Sequence, residues 1–428
     1  MTTAPDFTEL VTTLPRPQPI GTFPLPLGYL LIPNGPGADE ARTALLDGHE
    51  PATWPDSLRA HELAHRGEVD QAVALLVDDD PVTRYNRFVL DPEGVDTDQL
   101  RGDLGRFGVL VDVVLFTLGR IDDPPRDEGT DGELTAVVLA AQASHLLTQG
   151  DSDGAANVLE RAAQAVTADS PRLAGVLIGS AGAIGADTAD TADAADSAAQ
   201  ARLERALRLL DGADGLRIGR AEIHLSLAGL FHHRAVQNPG LLAQAIPHYH
   251  SALQLVLRDE APLVWASAHA NLATAYLTMP MVQASDQLRL GVAANSLRSA
   301  LKVYTPEDYP EQWASVQLNL ANSLVYTPSK HQADNLVEAV ELYEAVLAAR
   351  DRDSDPLGRA RVLTNQGNAL AHLGAFDQAK AKLYEARFLF EEQQDHESVR
   401  TVRGVLDEVA RQVALLRTAA EADGGAEQ

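Results

Sequence analysis

The chain has 428 residues, with 61 Asp and Glu against 34 Lys and Arg, so its formal net charge is −27. Such a charge repels phosphate backbones and anionic lipid, which disfavours nucleic acid and membrane surfaces as partners. There is no cysteine, which excludes disulfides, thiolate nucleophiles and cysteine-based zinc sites. Hydrophobic residues make up 45% of the chain but aromatics only 5%, a composition typical of closely packed helices.

Residues 1–50 are predicted to form an extended arm that folds onto the rest of the chain. They contain TLPRPQPIGTFPLPLGYLLIPNGPG, whose Pro and Gly density excludes long helices. The opening MTTAPDFTEL lacks the basic and apolar regions of a secretory signal, and no apolar run reaches the length of a membrane span. The expected location is therefore the cytoplasm.

Residues 51–130 are predicted to be helical, with half of a degenerate repeat around Gly67 and Ala72. This region also contains His61-Glu62-Leu63-Ala64-His65, which fits the helical zinc-hydrolase pattern HExxH. In that pattern His61 and His65 bind the metal and Glu62 acts on water. No third ligand follows at the spacing of the extended motif, so the favoured interpretation is a repeat helix ending at Gly67, with no metal and no cofactor.

From residue 131 onward the chain repeats itself. Segments with a common pattern begin at six alanines, spaced 44, 46, 48, 46 and 40 residues apart: Ala155, Ala199, Ala245, Ala293, Ala339 and Ala379. The fifth residue of each segment is Leu or Tyr, and the eighth is Ala or Val. Spacings of four and seven residues place these positions on one helical face, which predicts a packing stripe. The first repeats are assigned to 131–215 and the main repeats to 216–393, with residues 181–198 expected to form a loop between helices.

A helix also precedes each of the later segments. WASAHANLATAY, WASVQLNLANSL and RARVLTNQGNAL each have a small residue near the middle, as does the weaker copy AEIHLSLAGLF. Those residues are Ala228, Ala273, Ala321 and Gly367. A small residue on one helix facing a small residue on the next allows the two helices to cross closely. The sequence therefore predicts helical hairpins that pack one on another.

The segment LTNQGNALAHLGAFDQAKAKLYEARF resembles the tetratricopeptide repeat family, and the longer earlier repeats resemble its long-period bacterial variant. The resemblance implies an all-α, right-handed α-solenoid of helical hairpins. Residues 394–420 are amphipathic and are predicted to cap the last repeat, and residues 421–428 are predicted to be a disordered tail. Some long-repeat relatives carry a caspase-like domain, but a chain without cysteine cannot supply its catalytic dyad.

Asparagines recur on the predicted first helices. In tetratricopeptide repeats, Asn at such positions lines the concave groove and hydrogen-bonds the backbone of a bound peptide, and an alternative role is to hold neighbouring helices together. Arg361 is nearly the only basic residue on these helices, which disfavours a ligand with an acidic C-terminal tail. The predicted groove residues are Asn271, Asn319, Asn322, Asn365, Asn368 and Arg361.

Six histidines fall within two consecutive repeats: His224, His232, His233, His248, His250 and His269. His248 and His250 flank Tyr249 and must point to different sides of their helix, so all six cannot converge. A metal or proton site built from two or three of them is the alternative to solvated imidazoles.

The function expected from the sequence is a protein–protein interaction scaffold or adaptor, and not an enzyme. Its partner would be a protein with a basic or extended segment. Two alternatives stay open. One is an accessory or assembly factor, or structural subunit, of a multi-subunit bacterial enzyme; homo-oligomerisation is compatible with either role. The other is a zinc-dependent hydrolase that uses His61, Glu62 and His65.

Overall fold

A computed structural model describes residues 30–33, 37–168, 170–188, 193–280, 287–326, 331–350 and 352–424. The chain divides into two compact units, Met1–Val256 and Leu257–Gln428. Most of the predicted N-terminal arm and the last four residues of the predicted tail lie outside the described residues. Among the described helices, none is long and apolar enough to cross a membrane.

The first unit contains twelve α-helices in its described residues. They are α1 Ala38–Leu46, α2 Arg59–His65, α3 Val69–Leu75, α4 Pro81–Leu90, α5 Thr97–Asp103, α6 Val109–Thr117, α7 Gly132–Thr148, α8 Ser152–Val166, α9 Pro171–Thr188, α10 Asp193–Leu209, α11 Arg217–Arg234 and α12 Leu242–Leu255. From α7 onward each helix packs on the next along the chain, and α9 also packs on α11. This is the contact pattern of stacked helical hairpins.

The described residues of the second unit form seven helices. They are α13 Pro262–Thr278, α14 Gln287–Ala300, α15 Pro310–Tyr326, α16 Gln332–Ala349, α17 Pro356–His372, α18 Phe376–Glu392 and α19 His396–Gly424. Each packs on its successor, and the odd-numbered helices contact one another in the order α13, α15, α17, α19. The first helices of successive hairpins thus lie side by side, as in an α-solenoid.

The predicted packing stripe is confirmed. The six alanines that open the repeated segments are fully buried, and every Leu, Tyr, Ala and Val at the fifth and eighth positions is also buried. Ala228, Ala273 and Ala321 on the first helices are buried as well. The all-α fold of helical hairpins is therefore confirmed, because the recurring small residues occupy the helix–helix contacts.

Turns of the same kind connect the two helices of three hairpins. In each of these turns a glycine follows the end of the first helix, and a buried alanine lies five residues after that glycine. Gly67, Gly150 and Gly374 have φ of 80°, 81° and 79°, a left-handed conformation that favours glycine. The residue after each glycine donates its N–H to a carbonyl five residues earlier, at 2.8–2.9 Å. Gly67 was recognised in the sequence and Gly374 lies in the segment LTNQGNALAHLGAFDQAKAKLYEARF quoted above, whereas Gly150 was not recognised.

The prediction of a loop at residues 181–198 is wrong for most of that segment. Helix α9 continues to Thr188 and α10 begins at Asp193. Alanine has the highest helix propensity, and the glycines here serve close packing. A Cβ added to Gly182 would lie 2.7 Å from Leu203 Cγ, which is the contact that Gly367 makes with Leu383.

Helix α19 packs on α18 and α17, as expected of a capping helix, but it continues to Gly424 and so includes the first four residues of the predicted disordered tail. Its buried face is formed by Val399, Val402, Leu406 and Val409. At the other end of the chain, Leu30, Leu31 and Ile32 are buried, and Leu30 and Leu31 belong to the apolar core around α2–α7. Residues 30–32 therefore pack on the helices as predicted, whereas residues 38–46 form helix α1 and are not extended. The remainder of the arm stays a prediction.

Candidate functional site: an asparagine pair beside a pocket

Asn322 on α15 is the centre of the candidate site in the second unit. Its Oδ1 accepts a hydrogen bond from the Tyr343 hydroxyl of α16 at 2.6 Å and another from Asn365 Nδ2 of α17 at 3.0 Å. Tyr343 is buried, and burial raises the pKa of its hydroxyl, which therefore stays a neutral donor. Side chains from three consecutive helices thus fix the orientation of one amide.

This arrangement leaves one donor and one acceptor of the pair available. No hydrogen bond within the described chain uses Asn322 Nδ2 or Asn365 Oδ1. Both residues are half-buried, so these atoms lie at the surface of packed helices. An extended polypeptide offers alternating C=O and N–H groups, which an amide donor and an amide acceptor can bind without regard to side-chain identity.

A pocket of about 320 Å³ adjoins Asn322. Its apolar lining comes from Leu277 and Met279 at the end of α13, Leu290 of α14 and Tyr326 of α15. Its polar lining consists of Asn319, Asn322 and Ser323, all on α15. The hydroxyl of Ser323 donates to the Leu320 carbonyl at 2.7 Å. Two of the predicted asparagines therefore share one concave feature.

The other predicted groove residues are less closely grouped. Arg361, Asn365 and Asn368 are spaced four and three residues apart on α17 and thus lie on one face. Arg361 is exposed. Hydrogen bonds from Ser398 lower the pKa of Asp395, and the positive charge of Arg361 lowers it further. Asn271 is exposed on α13.

The HExxH residues of α2 make contacts with other residues of the chain. His61 is buried and its Nε2 lies 3.0 Å from the Leu31 carbonyl oxygen, so this nitrogen carries the hydrogen. Glu62 is also buried and forms ion pairs with Arg59 and Arg66. Burial lowers the pKa of both His61 and His65. Among the described residues no group of three or more His, Asp or Glu could hold a metal ion.

A main-chain clamp that the sequence analysis missed lies at the same place. Asn86 of α4 accepts from the Leu31 N–H at 2.7 Å and donates from Nδ2 to the Leu31 carbonyl at 2.8 Å. Its side chain therefore binds both backbone groups of one residue that lies outside the helices, and His61 binds the same carbonyl. Asn86 is a single polar residue in an otherwise apolar helical face, and no local pattern distinguishes it.

Only some of the six histidines come together. In the first unit His224 Nδ1 and His248 Nδ1 are 2.9 Å apart, and His232 Nδ1 is 3.2 Å from the Tyr249 hydroxyl. Burial, the charge of His248 and that of Arg220 lower the pKa of His224 to about 4. His233 and His250 are exposed. In the second unit His269 packs edge-on against Trp265.

The solved structures that are similar to this chain include two Rap structures. One is the crystal structure of the apo form of RapI, with a TM-score of 0.46 and 12% identity, covering 83% of this chain and 96% of that chain. The other is the crystal structure of Rap protein complexed with Competence and Sporulation Factor, with a TM-score of 0.40, 14% identity and the same coverage. No protein-family model and no curated protein matches the chain. At these TM-scores and identities the likeness assigns this chain neither a partner nor a function.

Proposed function

We propose that this protein is an interaction scaffold of tetratricopeptide type that binds an extended segment of a partner protein along the first helices of its second unit. The observation that carries the proposal is the fixed amide pair, Asn322 and Asn365, with an unused donor and an unused acceptor. Its activity is then binding and positioning, without bond chemistry. Because the net charge is −27, a basic segment is the electrostatically favoured partner.

The Asn86 clamp supports this mode of binding. Within one molecule it shows an Asn side chain on a helix binding the N–H and the C=O of a residue outside the helices at 2.7 and 2.8 Å. Asn322 and Asn365 offer the same two kinds of group, divided between two helices. A partner backbone bound there would satisfy both with one residue or two neighbouring residues.

Substitution of two other groove asparagines tests the proposal without disturbing the fold. Asn319 and Asn368 make no hydrogen bond within the described chain, so Asn319→Ala with Asn368→Ala should leave the melting temperature unchanged. We expect affinity for the partner to fall about tenfold, since each lost hydrogen bond weakens binding by about 0.5–1.5 kcal/mol.

The partner is first isolated from the source organism with the intact chain as bait and its binding segment mapped, and affinity is then measured by calorimetry. Asn295→Ala is the matched control, because Asn295 is an exposed asparagine on the second helix α14. Unchanged affinity both in this double variant and in Asn365→Ala, which removes the free acceptor of the pair, would show that binding occurs on another surface.

A further inference from the structure

The pocket beside Asn322 has the size of a side-chain site. Its volume of about 320 Å³ lies at the lower end of the range for ligand pockets in proteins, roughly 300–1,000 Å³. Such a volume admits one large side chain together with the main chain on either side of it. A whole helix or a folded domain would not enter.

The lining determines the kind of side chain that fits. Leu277, Met279, Leu290 and Tyr326 provide apolar surface, and Leu290 is only 8% exposed. None of the seven lining residues is charged. An ammonium or carboxylate group placed there would lose its hydration without gaining an ionic partner, which is strongly unfavourable. An aliphatic or aromatic side chain would gain about 25 cal/mol for each Å² of apolar surface removed from water.

Two asparagines lie on the polar side of the pocket, where the main chain of a bound partner segment would lie. Asn319 and Asn322 are one helical turn apart on α15, and both line the pocket. Since Tyr343 and Asn365 occupy the Oδ1 of Asn322, its Nδ2 is the atom left to donate to a carbonyl of the ligand. A donor at the rim and apolar walls behind it are complementary to an extended residue with a large apolar side chain.

The first unit contains an occupied site of the same design. Asn86 binds the backbone of Leu31, and the Leu31 side chain is buried, with 1% exposure, in the surrounding apolar core. In this chain, therefore, a single leucine has its backbone bound by an amide and its side chain buried in the apolar core. The site at Asn322 has the amide and the apolar walls but no segment of the described chain within it.

We propose that this pocket is an anchor site for one large, uncharged apolar side chain, of the Leu, Met or Phe class, in an extended partner segment whose backbone binds the asparagine pair. The proposal rests on the function proposed above and adds a sequence preference to it. The amides alone would bind any extended backbone, whereas the pocket selects one residue of the partner.

The experiment uses the intact protein and a displayed library of random twelve-residue peptides. Selected peptides are sequenced, synthesised and measured by fluorescence anisotropy. We expect enrichment of Leu, Met or Phe at a single position, and at least a tenfold loss of affinity when that residue is changed to Ala, Lys or Asp. Leu277→Ala, which enlarges the pocket, should shift the preference toward the larger aromatic residues.

Met279→Trp, which fills the pocket from its rim, should lower affinity for the anchored peptides at least tenfold. Leu288→Trp is the control of equal size, because Leu288 is 75% exposed on α14 and does not line the pocket. The melting temperature of each variant is recorded, so that a loss of folding is separated from a filled pocket.

The outcomes separate the two proposals. Peptides that bind without an enriched apolar position, or whose affinity Met279→Trp leaves unchanged in a folded variant, would overturn the anchor site and leave backbone recognition standing. Failure of both the library and a mapped partner segment to bind would overturn the proposed function itself. Peptides whose affinity falls with Met279→Trp but not with Asn319→Ala and Asn368→Ala together would support the anchor site and show that these two asparagines do not contribute to binding.

Discussion

Gly367 shows how a single residue sets the distance between two helices. A Cβ at this position would lie 2.7 Å from Leu383 Cγ and 3.3 Å from the Ala379 carbonyl oxygen. The first contact is with a side chain and the second with backbone, so repacking alone would not relieve both. The hairpin α17–α18 therefore depends on the absence of a side chain at this residue.

Gly367→Ala should lower the free energy of unfolding by about 1–3 kcal/mol, since a methyl group must be forced into a packed contact. The matched control is Gly404→Ala on α19, where a Cβ would meet nothing within 4 Å. That change should raise stability by up to about 1 kcal/mol through helix propensity. Urea denaturation measures both, and equal effects at the two positions would contradict the packing argument.

Asn86 binds the backbone of Leu31 to helix α4. Asn86→Ala removes both hydrogen bonds to the Leu31 backbone and leaves its buried N–H without a partner. We expect a loss of about 2–4 kcal/mol, because an unsatisfied buried polar group costs about 1–3 kcal/mol beyond the lost bonds.

Denaturation of Asn86→Ala is compared with that of Asn157→Ala, a change at an exposed asparagine on α8. Hydrogen exchange should also show the Leu31 amide protected in the intact chain and unprotected in Asn86→Ala. A protected amide in the variant would mean that other contacts hold this segment.

At the scale of elements, the pair α11–α12 holds two half-buried imidazoles next to each other, those of His224 and His248. Burial lowers the pKa of His248 as well as that of His224, while Glu204 opposes the shift at His248. Arg220 and His248 add positive charge near His224, and Glu222 on the same helix has a pKa raised by burial. Folding therefore disfavours protonation of both histidines.

The sign of the pH dependence follows from these shifts. The unfolded chain binds protons at the ordinary histidine pKa of 6.5, whereas folded His224 binds one only at about 4. Stability is thus full above pH 6.5 and falls as the pH is lowered from there toward 4. Melting temperatures between pH 7.5 and 4.5 should show this fall.

A variant with His224→Gln and His248→Gln should lose less stability over the same pH range. It should not become independent of pH, because His61, His65 and His232 also have pKa values lowered by burial. A slope equal to that of the unchanged protein would show that the facing pair does not titrate as described.

For the whole molecule the largest physical feature is its charge. A net charge of −27 creates a field that extends to about the Debye length, roughly 8 Å at physiological ionic strength. Such a field accelerates the approach of a basic ligand and slows that of an acidic one. It does not determine where the ligand binds, which depends on the amide pair and the pocket.

Binding of a basic partner segment should therefore be faster at low salt. We expect its association rate constant to fall about tenfold between 50 and 500 mM NaCl, with the dissociation rate constant changing much less. Stopped-flow measurement with a neutral variant of the same segment is the control. A basic segment with a salt-independent association rate would exclude electrostatic steering by this chain.

The local sequence pattern was sufficient to predict the repeated helices and the faces on which they pack. The alanines at intervals in the forties identified the hairpins, because a repeated unit must present the same small residues to each of its neighbours. Recurrence also identified Asn322 and Asn365 as candidates. Composition alone was misleading at residues 181–198, where Gly and Ala serve close packing between α9 and α10.

The local sequence pattern could not predict contacts between residues that are far apart along the chain. Asn365 and Asn322 are 43 residues apart, and Asn86 and Leu31 are 55 apart. A hydrogen bond of that kind depends on how far each helix is rotated and shifted against its neighbours, and those few degrees and ångströms are set by the whole packed core. The repeat thus specifies the hairpins, while the fixed amide and its adjoining pocket arise only when the hairpins are stacked.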